Sequence, residues 1–239
     1  MLPDYSVIVP VFNEEGAVEA LALEIAAAFA GQACEILFVD DASTDTTRAR
    51  LIALNARLPM LRVIAHQRNA GQSRAIRSGV LAARAPIVIT LDGDGQNLPA
   101  DAPRLAARLK HGPAALGLVS GLRQGRRDSL AKRWASKLGN GLRRRLLNDG
   151  AVDTGCGLKA FRRDAFLRLP YFDHLHRFLP ALFRREGYDV VFEPVSHRAR
   201  ASGASKYTNF GRLLVSAPDL LGVIWLNARA RRAGDIEEL

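Results

Sequence analysis

The sequence predicts an α/β fold built on an open, mostly parallel sheet with helices on both faces. Through the first half of the 239-residue chain, short apolar runs alternate with longer segments whose apolar residues recur at helical spacing. Each short run is almost entirely apolar, which is typical of parallel strands that are buried on both faces. This alternation is the pattern of a doubly wound sheet, in which a helix connects each strand to the next.

Five strands and four helices are predicted in alternating order. The strands are residues 6–9, 35–39, 61–65, 87–91 and 116–120, and the helices between them are residues 14–30, 46–57, 72–83 and 101–111. We expect one α/β domain over residues 1–207 and an amphipathic helical tail over residues 208–239. Pro218 and Asp219 interrupt the apolar stretch of this tail. A membrane-spanning helix needs about 20 apolar residues, so we expect the stretch to lie on a membrane or to pack on the domain.

The composition excludes several classes of protein. Hydrophobic residues make up 48% of the chain and charged residues 24%, which rules out a disordered tail and a small disulfide scaffold. The two cysteines, Cys34 and Cys156, lie in no metal-binding or redox spacing. The N-terminus has no basic region before its first apolar run, so the sequence does not predict export. We expect a cytoplasmic protein with reduced thiols.

The net positive charge comes from the second half of the chain. The net charge is +10, from 34 Lys and Arg against 24 Asp and Glu. Residues 1–120 carry 11 basic and 12 acidic side chains, whereas residues 121–239 carry 23 and 12. The second half is therefore where a phosphate-rich ligand or an anionic membrane should bind.

Acidic side chains follow three of the predicted strands. The first strand runs into PVFNEE, the second into DDAS and the fourth into DGDGQ. Because ligands bind at the carboxyl ends of the strands in such sheets, these clusters should meet at one edge.

Asp92 and Asp94 are the most specific of these acidic residues, since carboxylates at this spacing repel each other unless a cation or a donor compensates them. Mg²⁺ or Mn²⁺, bridging to substrate phosphates, suits such ligands. The alternative is that both aspartates only cap a turn. Gly93 and Gly95 would let a bulky ligand approach the backbone.

Other metal and phosphate motifs do not fit the sequence. An EF-hand loop that begins at Asp92 would have Asn97 in place of its glycine and Pro103 in place of its glutamate. PVFNEE lacks the glycines of a dinucleotide motif or a P-loop. The histidines match no zinc spacing, and we expect them to pack or to belong to an acceptor loop; they include His174, His176 and His197.

Six segments of the chain occur in the order of a known enzyme family. They are SVIVPVFNEE, ILFVDDASTDTT, ITLDGDGQ, VSGLRQG, DTGCGLKAFRRD and RARASGASKY, and they span about residues 5–207. The sequence resembles the family 2 glycosyltransferases of GT-A fold. Within them it is similar to the dolichyl- and polyprenyl-phosphate sugar transferases typified by dolichol-phosphate mannose synthase. Any one segment is weak evidence, but six in order are strong.

The resemblance implies roles for the residues at matching positions. Those that would contact the nucleotide-sugar are Pro10, Phe12, Glu14, Val39, Asp41, Asp92, Gly93, Asp94, Gln96, Arg123, Arg200 and Lys206. Asp92 and Asp94 would bind the metal ion, Mg²⁺ or Mn²⁺. The implied catalytic set is Asp94, Arg123, Asp153, Arg200 and Lys206. Phe12 stands where a tyrosine is common, which removes a hydroxyl group but keeps the stacking face.

The implied reaction is a single displacement with inversion, from a UDP- or GDP-linked sugar to a polyprenyl phosphate. Charge that builds on the diphosphate leaving group can be stabilised by a metal ion and by fixed cations. Arg200 and Lys206 flank a segment with Gly and Ser that suits a loop closing over phosphates. A lipid phosphate is already ionised, whereas a glycan hydroxyl, the alternative acceptor, needs a general base. Asp153 could orient the acceptor, act as that base, or cap a turn.

A basic segment follows the predicted fifth strand. Residues 123–145 carry nine basic residues and one acidic residue, Asp128. The segment is either an interfacial helix with Trp134 at headgroup depth or a solvated charged face. We predict peripheral attachment to the cytoplasmic face of an anionic membrane, directly or through a membrane partner subunit. A nucleic-acid-binding surface would explain the charge but not the acidic clusters, and no nucleic-acid motif occurs, so we expect no nucleic-acid partner.

Overall fold

The computed structural model describes residues 2–124, 146–147, 149–151, 153–198 and 209–230, with the backbone alone for residues 209–216. The described residues form a seven-stranded sheet with the order β3-β2-β1-β4-β6-β5-β7. Its strands are β1 (Tyr5–Val11), β2 (Cys34–Asp40), β3 (Leu61–Ala65), β4 (Ile87–Thr90), β5 (Leu116–Arg123), β6 (Lys159–Arg162) and β7 (Asp189–Val195). The five predicted strands are all present.

The sheet is mixed, because one strand runs against the others. β6 is antiparallel to both of its neighbours, β4 and β5, and the other neighbouring pairs are parallel. The chain moves outward from β1 to β3 and then returns to β4 on the other side of β1. The strand order therefore reverses between β1 and β4, which is where ligands bind in sheets of this kind.

Helices cover both faces of the sheet in the part of the chain that the structure describes. They are α1 (Val18–Ala28), α2 (Thr47–Asn55), α3 (Gln72–Ala82), α4 (Ala102–Lys110), α5 (Arg163–Arg168), α6 (Leu179–Arg185) and α7 (Asn209–Ala228). The four predicted helices correspond to α1–α4. Helix α1 begins later than predicted, because the backbone N–H of Ala17 bonds to the carbonyl of Glu14 in a turn at 2.9 Å. The predicted α/β class with a mostly parallel sheet is confirmed.

Two hydrophobic cores lie on opposite faces of the sheet. Alternate residues of β1 show the division: Val7 and Val9 belong to one core and Ile8 to the other, and all three are fully buried. The first core includes side chains of α1, α2 and α4, and the second includes side chains of α3, α5 and α6. Burial on both faces explains why these strands are apolar throughout rather than alternating.

Helix α7 packs on the second core with one side. Val223 is buried there, and Leu220 and Ile224 pack beside it. Leu221 and Trp225 remain exposed on the other side of the helix. Within the described ranges, no helix combines the length and the apolar character that crossing a bilayer requires.

Candidate active site

Two aspartates lie at the carboxyl end of β4, beside the point where the strand order reverses. Asp92 is half-buried, and its Oδ1 accepts a hydrogen bond of 2.8 Å from Nε2 of Gln72, the first residue of α3. Oδ1 of Asp94 accepts a bond of 3.1 Å from the backbone N–H of Gln96. Burial raises the pKa of Asp92, and the charge of Asp94 raises it further, while Lys159 acts in the opposite direction. A cation bound between the two carboxylates would relieve this repulsion.

Close packing requires glycine at two positions beside this pair, Gly93 and Gly157. A Cβ atom on Gly93 would lie 2.6 Å from Cγ1 of Val11 and 2.8 Å from the carbonyl oxygen of Pro10. Gly93 is therefore required by packing against the end of β1, whereas the sequence predicted room for a ligand. A Cβ atom on Gly157 would lie 2.2 Å from Cγ of Asp92. The turn at Gly157 thus forms a wall against which the Asp92 carboxyl group rests.

The loops after β1 and β2 are bound to each other. The backbone N–H of Asn13 donates to Oγ of Ser43 at 3.0 Å, and the N–H of Glu14 donates to Oγ1 of Thr47 at 2.9 Å. Pro10 and Val39 are register partners on β1 and β2. These contacts bring Pro10, Phe12, Glu14 and Val39 to one edge of the sheet, beside Asp92 and Asp94. The side chain of Val39 is fully buried in the second core.

Both carboxylate oxygens of Asp41 bond to the chain itself. Oδ1 accepts from the backbone N–H of Ala70 at 2.9 Å and lies 2.7 Å from Nδ1 of His66, and Oδ2 accepts from the N–H of Gly71 at 2.8 Å. Asp41 therefore fixes the connection from β3 to α3, a role that the sequence did not predict. Beyond it, an open cleft of about 660 Å³ is lined by residues that include Arg68 and Arg74.

Arg123 and Asp153 form a two-pronged ion pair. Nε and Nη2 of Arg123 each donate to a different oxygen of Asp153, both at 2.7 Å. The two side chains are only 15% and 11% exposed, so the pair is largely shielded from water. Burial alone would lower the pKa of Arg123, but the Asp153 carboxylate raises it above its usual value. Asp153 also accepts from the backbone N–H of Gly155 at 3.2 Å, which caps the turn.

Lys159 is a site residue that the sequence did not predict. It is the first residue of β6, it is 4% exposed, and its ammonium group donates to the carbonyl oxygen of Cys156. Burial lowers the pKa of Lys159, while Asp92 and Asp153 oppose that change. The signal available in the sequence was a lysine inside the apolar run LKAF.

The segment after β7 lies against the loop that carries Asp94. Asn97 and His197 form an isolated antiparallel bridge. The backbone N–H of Arg198 donates to the carbonyl oxygen of Gln96 at 3.0 Å, and its guanidinium group bonds to Gly95 at 2.6 Å. The described segment thus ends beside Gln96. Arg200 and Lys206, which the sequence assigned to phosphates, lie outside the described residues.

The histidines that the sequence noted take packing positions. Nδ1 of His176 lies 2.7 Å from Oγ of Ser73, the second residue of α3, and burial lowers the pKa of His176 well below its usual value. Nδ1 of His174 lies 2.9 Å from Oδ2 of Asp219 in α7. In the part of the chain that the structure describes, no three His, Cys, Asp or Glu side chains come together as a metal site.

The comparisons with known proteins identify the family. The family described as "Glycosyl transferase family 2" matches residues 6–169. This chain belongs to that family. The match covers β1 to β6 and the Asp92 and Asp94 pair, so it includes the whole arrangement at the carboxyl ends of β1, β2 and β4.

Curated relatives of this family 2 glycosyltransferase extend the match to nearly the whole chain. A dodecaprenyl-phosphate galacturonate synthase from Rhizobium johnstonii is 33% identical over 97% of this chain and 69% of its own length. An undecaprenyl-phosphate 4-deoxy-4-formamido-L-arabinose transferase from Klebsiella pneumoniae is 36% identical over 90% of this chain and 66% of its own length. The chain therefore spans about two thirds of the length of these relatives.

Solved structures show the same fold at lower identity. A glucosyl-3-phosphoglycerate synthase from Mycobacterium tuberculosis, in complex with Mn²⁺, UDP and glucosyl-3-phosphoglycerate, has a TM-score of 0.71 at 19% identity and covers 97% of this chain and 82% of that chain. A mannosyltransferase from Pyrobaculum calidifontis, in complex with GDP-Man and Mn²⁺, has a TM-score of 0.68 at 20% identity, over 98% of this chain and 66% of that chain. The GT-A type of fold is confirmed.

The carboxylate ligands in this glycosyltransferase suit a hard divalent ion that also binds a substrate. Mg²⁺ and Mn²⁺ are commonly held by one or two carboxylates together with substrate phosphates and water, rather than by a full protein cage. Asp92 and Asp94 supply two carboxylates on one loop, and Gln72 holds an oxygen of Asp92 in place. Burial raises the pKa of Asp92 and repulsion by Asp94 raises it further, and such an ion would remove this repulsion.

Proposed function

We propose that the protein is an inverting glycosyltransferase that moves a sugar from a nucleotide-sugar to a polyprenyl phosphate. The observation that carries the proposal is that Asp92 and Asp94 lie near two cations, the largely buried Arg123 and the buried Lys159. Carboxylates suit a metal ion and a diphosphate donor, and the cations suit a second anion beside it. The relatives named above support the lipid phosphate, since both names contain one.

The donor half of the site lies at the ends of β1, β2 and β4. Asp92 and Asp94 would hold Mg²⁺ or Mn²⁺, and the ion would supply positive charge to the departing diphosphate. Phe12 would stack on the base, with Pro10, Glu14 and Asp41 around it. Gln96 would contact the donor sugar, and Arg200 and Lys206 would bind the donor phosphates. The loop contacts between Arg198, Gly95 and Gln96 support this, because they hold the described end of that segment at the metal loop.

The acceptor half requires no general base. A phosphate monoester carries negative charge near neutral pH, so its oxygen is already a nucleophile. The site must then offset repulsion between two anions, and Arg123 is suited to this because a guanidinium group has five N–H donors, of which the pair with Asp153 uses two. Both oxygens of Asp153 bond to Arg123, which supports an orienting role for Asp153 rather than proton abstraction.

A product assay tests the transfer. The protein is incubated with Mn²⁺, a short-chain polyprenyl phosphate and a panel of UDP- and GDP-sugars, and the lipid is identified by mass. We expect a glycosyl polyprenyl phosphate from one donor and none from the matching polyprenol. Asp94→Asn should lower turnover by about 1000-fold, because several kcal/mol of charge stabilisation is lost.

A distant carboxylate provides the control for that variant. Asp4→Asn should leave turnover unchanged, since Asp4 pairs with Lys110 at 3.0 Å on another surface. Full turnover in Asp94→Asn would remove the metal role of this residue. A product formed on a glycan hydroxyl, with none on the lipid phosphate, would favour the alternative acceptor.

We also propose that α7 attaches the protein peripherally to the cytoplasmic face of an anionic membrane, directly or with a membrane-bound partner subunit. The supporting feature is its exposed face: Leu221 is 67% and Trp225 is 59% exposed, and the Arg229 guanidinium lies 5.9 Å from the Trp225 ring. An apolar and aromatic stripe beside a cation is typical of interfacial helices.

Liposome flotation tests this attachment. Leu221→Ser with Trp225→Ser should lower the fraction bound to anionic vesicles by at least about tenfold, because each apolar side chain contributes about 1.5 kcal/mol or more when buried. Ile52→Ser is a matched control on α2, since Ile52 is also 59% exposed. Equal binding by the double variant and by the wild type would show that α7 is not the attachment site.

A further inference from the structure

The reaction outlined above places Lys159 near the anionic substrates but does not explain its contacts with the protein. Lys159 pairs in register with Thr90 on β4 and with Ser120 on β5, and all three side chains are buried. Its ammonium group donates to the carbonyl of Cys156, and within the described ranges no carboxylate lies at ion-pair distance from it. Burying an ammonium group without an ion-pair partner is costly. A fold that keeps it needs a compensating charge nearby.

The hydrogen bond of Lys159 holds the wall of the metal site. Lys159 binds the carbonyl of Cys156, and Oγ1 of Thr90 donates to the carbonyl of Gly157 at 2.8 Å. These two carbonyls are consecutive, so β4 and β6 together fix the turn. The same turn lies against the carboxyl group of Asp92, because a Cβ atom on Gly157 would be only 2.2 Å from Cγ of Asp92. Movement of Lys159 is therefore transmitted to Asp92 through one peptide unit.

The charge of Lys159 also balances the carboxylates. Asp92 and Asp153 both act electrostatically on its ammonium group. Asp153 is already neutralised by Arg123 in a two-pronged pair. Lys159 is thus a buried cation that offsets the charge of Asp92 before a metal ion binds.

We propose that Lys159 is a positioning residue of the donor site, which fixes the Cys156–Gly157 turn under Asp92 and balances the charge of the metal-binding carboxylates. This inference rests on the proposed role of Asp92 and Asp94 in metal binding. The ammonium group repels a divalent ion, so it weakens metal binding. In exchange, it keeps the carboxylate pair ordered before the ion arrives.

The test is Mn²⁺ binding without any substrate, measured by electron paramagnetic resonance of the free ion. Lys159→Met removes the charge and the donor, and Lys159→Gln removes the charge but keeps a donor for Cys156. Both should bind Mn²⁺ about tenfold more tightly than the wild type, because a repelling unit charge is lost at low dielectric. Both should nevertheless transfer sugar more slowly, and Lys159→Met should be the slower of the two. Lys159→Arg should bind Mn²⁺ as the wild type does.

Each result supports or overturns the proposal. Unchanged Mn²⁺ affinity in the folded Met or Gln variant would overturn the proposal, because it would show a purely structural role that does not depend on charge. Tighter Mn²⁺ binding in Lys159→Arg would also overturn it, because that variant keeps the charge. If neither neutral variant folds, the Mn²⁺ affinity of Lys159→Arg decides whether the proposal stands. Lys110→Met, an exposed lysine paired with Asp4, controls for net charge and should bind Mn²⁺ as the wild type does. A wild-type protein that binds no Mn²⁺ would instead overturn the metal site itself.

Discussion

Replacing Gly157 by alanine is expected to lower the rate of sugar transfer by about 100-fold while the sheet remains folded. The added Cβ atom would lie 2.2 Å from Cγ of Asp92 and 2.3 Å from Oδ2, so the carboxyl group must leave its position. A displacement of about 1 Å in a reacting site costs on the order of 100-fold. Overpacking at one position costs the fold about 1–3 kcal/mol, which a domain with two cores should tolerate.

Turnover and thermal stability, measured together, distinguish this effect from unfolding. Gly222→Ala is the matched control, because no atom of the described residues lies within 4 Å of a Cβ atom on Gly222 and alanine suits a helix. This control variant should keep the transfer rate and the melting temperature of the wild type. If Gly157→Ala also kept its transfer rate, the position of Asp92 would not matter for the reaction.

Local patterns were sufficient to predict most of the sheet. The helix predicted over residues 72–83 is α3, Gln72–Ala82, and the strand predicted over residues 61–65 is β3. Helix α3 has a strong local period, and β3 is a short run of mostly apolar residues. The antiparallel strand β6 could not be found in this way. It has four residues with a charge at each end, and its pairing with β4 and β5 depends on residues about 40 to 75 positions away.

The site was predictable where its residues follow a strand directly. Asp92 and Asp94 were found because they come immediately after β4. Gln72 and Gly157 were missed as partners of Asp92, since they come from positions 20 and 65 residues away in the sequence. Such contacts depend on how α3 and the turn before β6 pack against β4. Local sequence does not contain that information.

Asp41 illustrates a different limit of the sequence. The resemblance to the family 2 glycosyltransferases implies that Asp41 contacts the nucleotide, and that remains a prediction. In the structure both of its oxygens bond to residues 66–71. Hydrogen bonds to residues this distant in the chain depend on how the loops pack together. A carboxylate at a strand end therefore predicts a location more securely than it predicts a ligand.

The pair of Arg123 and Asp153 should behave as one unit in both stability and transfer. Arg123→Met and Asp153→Asn should each destabilise the protein by about 3 kcal/mol, because each leaves a largely buried partner without its counter-charge. The double variant should lose less than the sum of the two, with a coupling of about 1–3 kcal/mol in a double-mutant cycle. Arg123→Met should also lower transfer by about 100-fold, since a cation at a phosphate is lost.

The same cycle separates the three roles that the sequence left open for Asp153. If Asp153 orients Arg123, then Asp153→Asn should slow transfer in the wild-type background and have no further effect once Arg123 is methionine. If Asp153 were a general base, the Asp153→Asn substitution would slow transfer in both backgrounds and would remove the acidic limb of the pH–rate profile. If it only caps the turn at Gly155, it should change stability and leave transfer intact in folded protein. The two short bonds to Arg123, both 2.7 Å, favour the first outcome, because a carboxylate engaged at both oxygens is a poor proton acceptor.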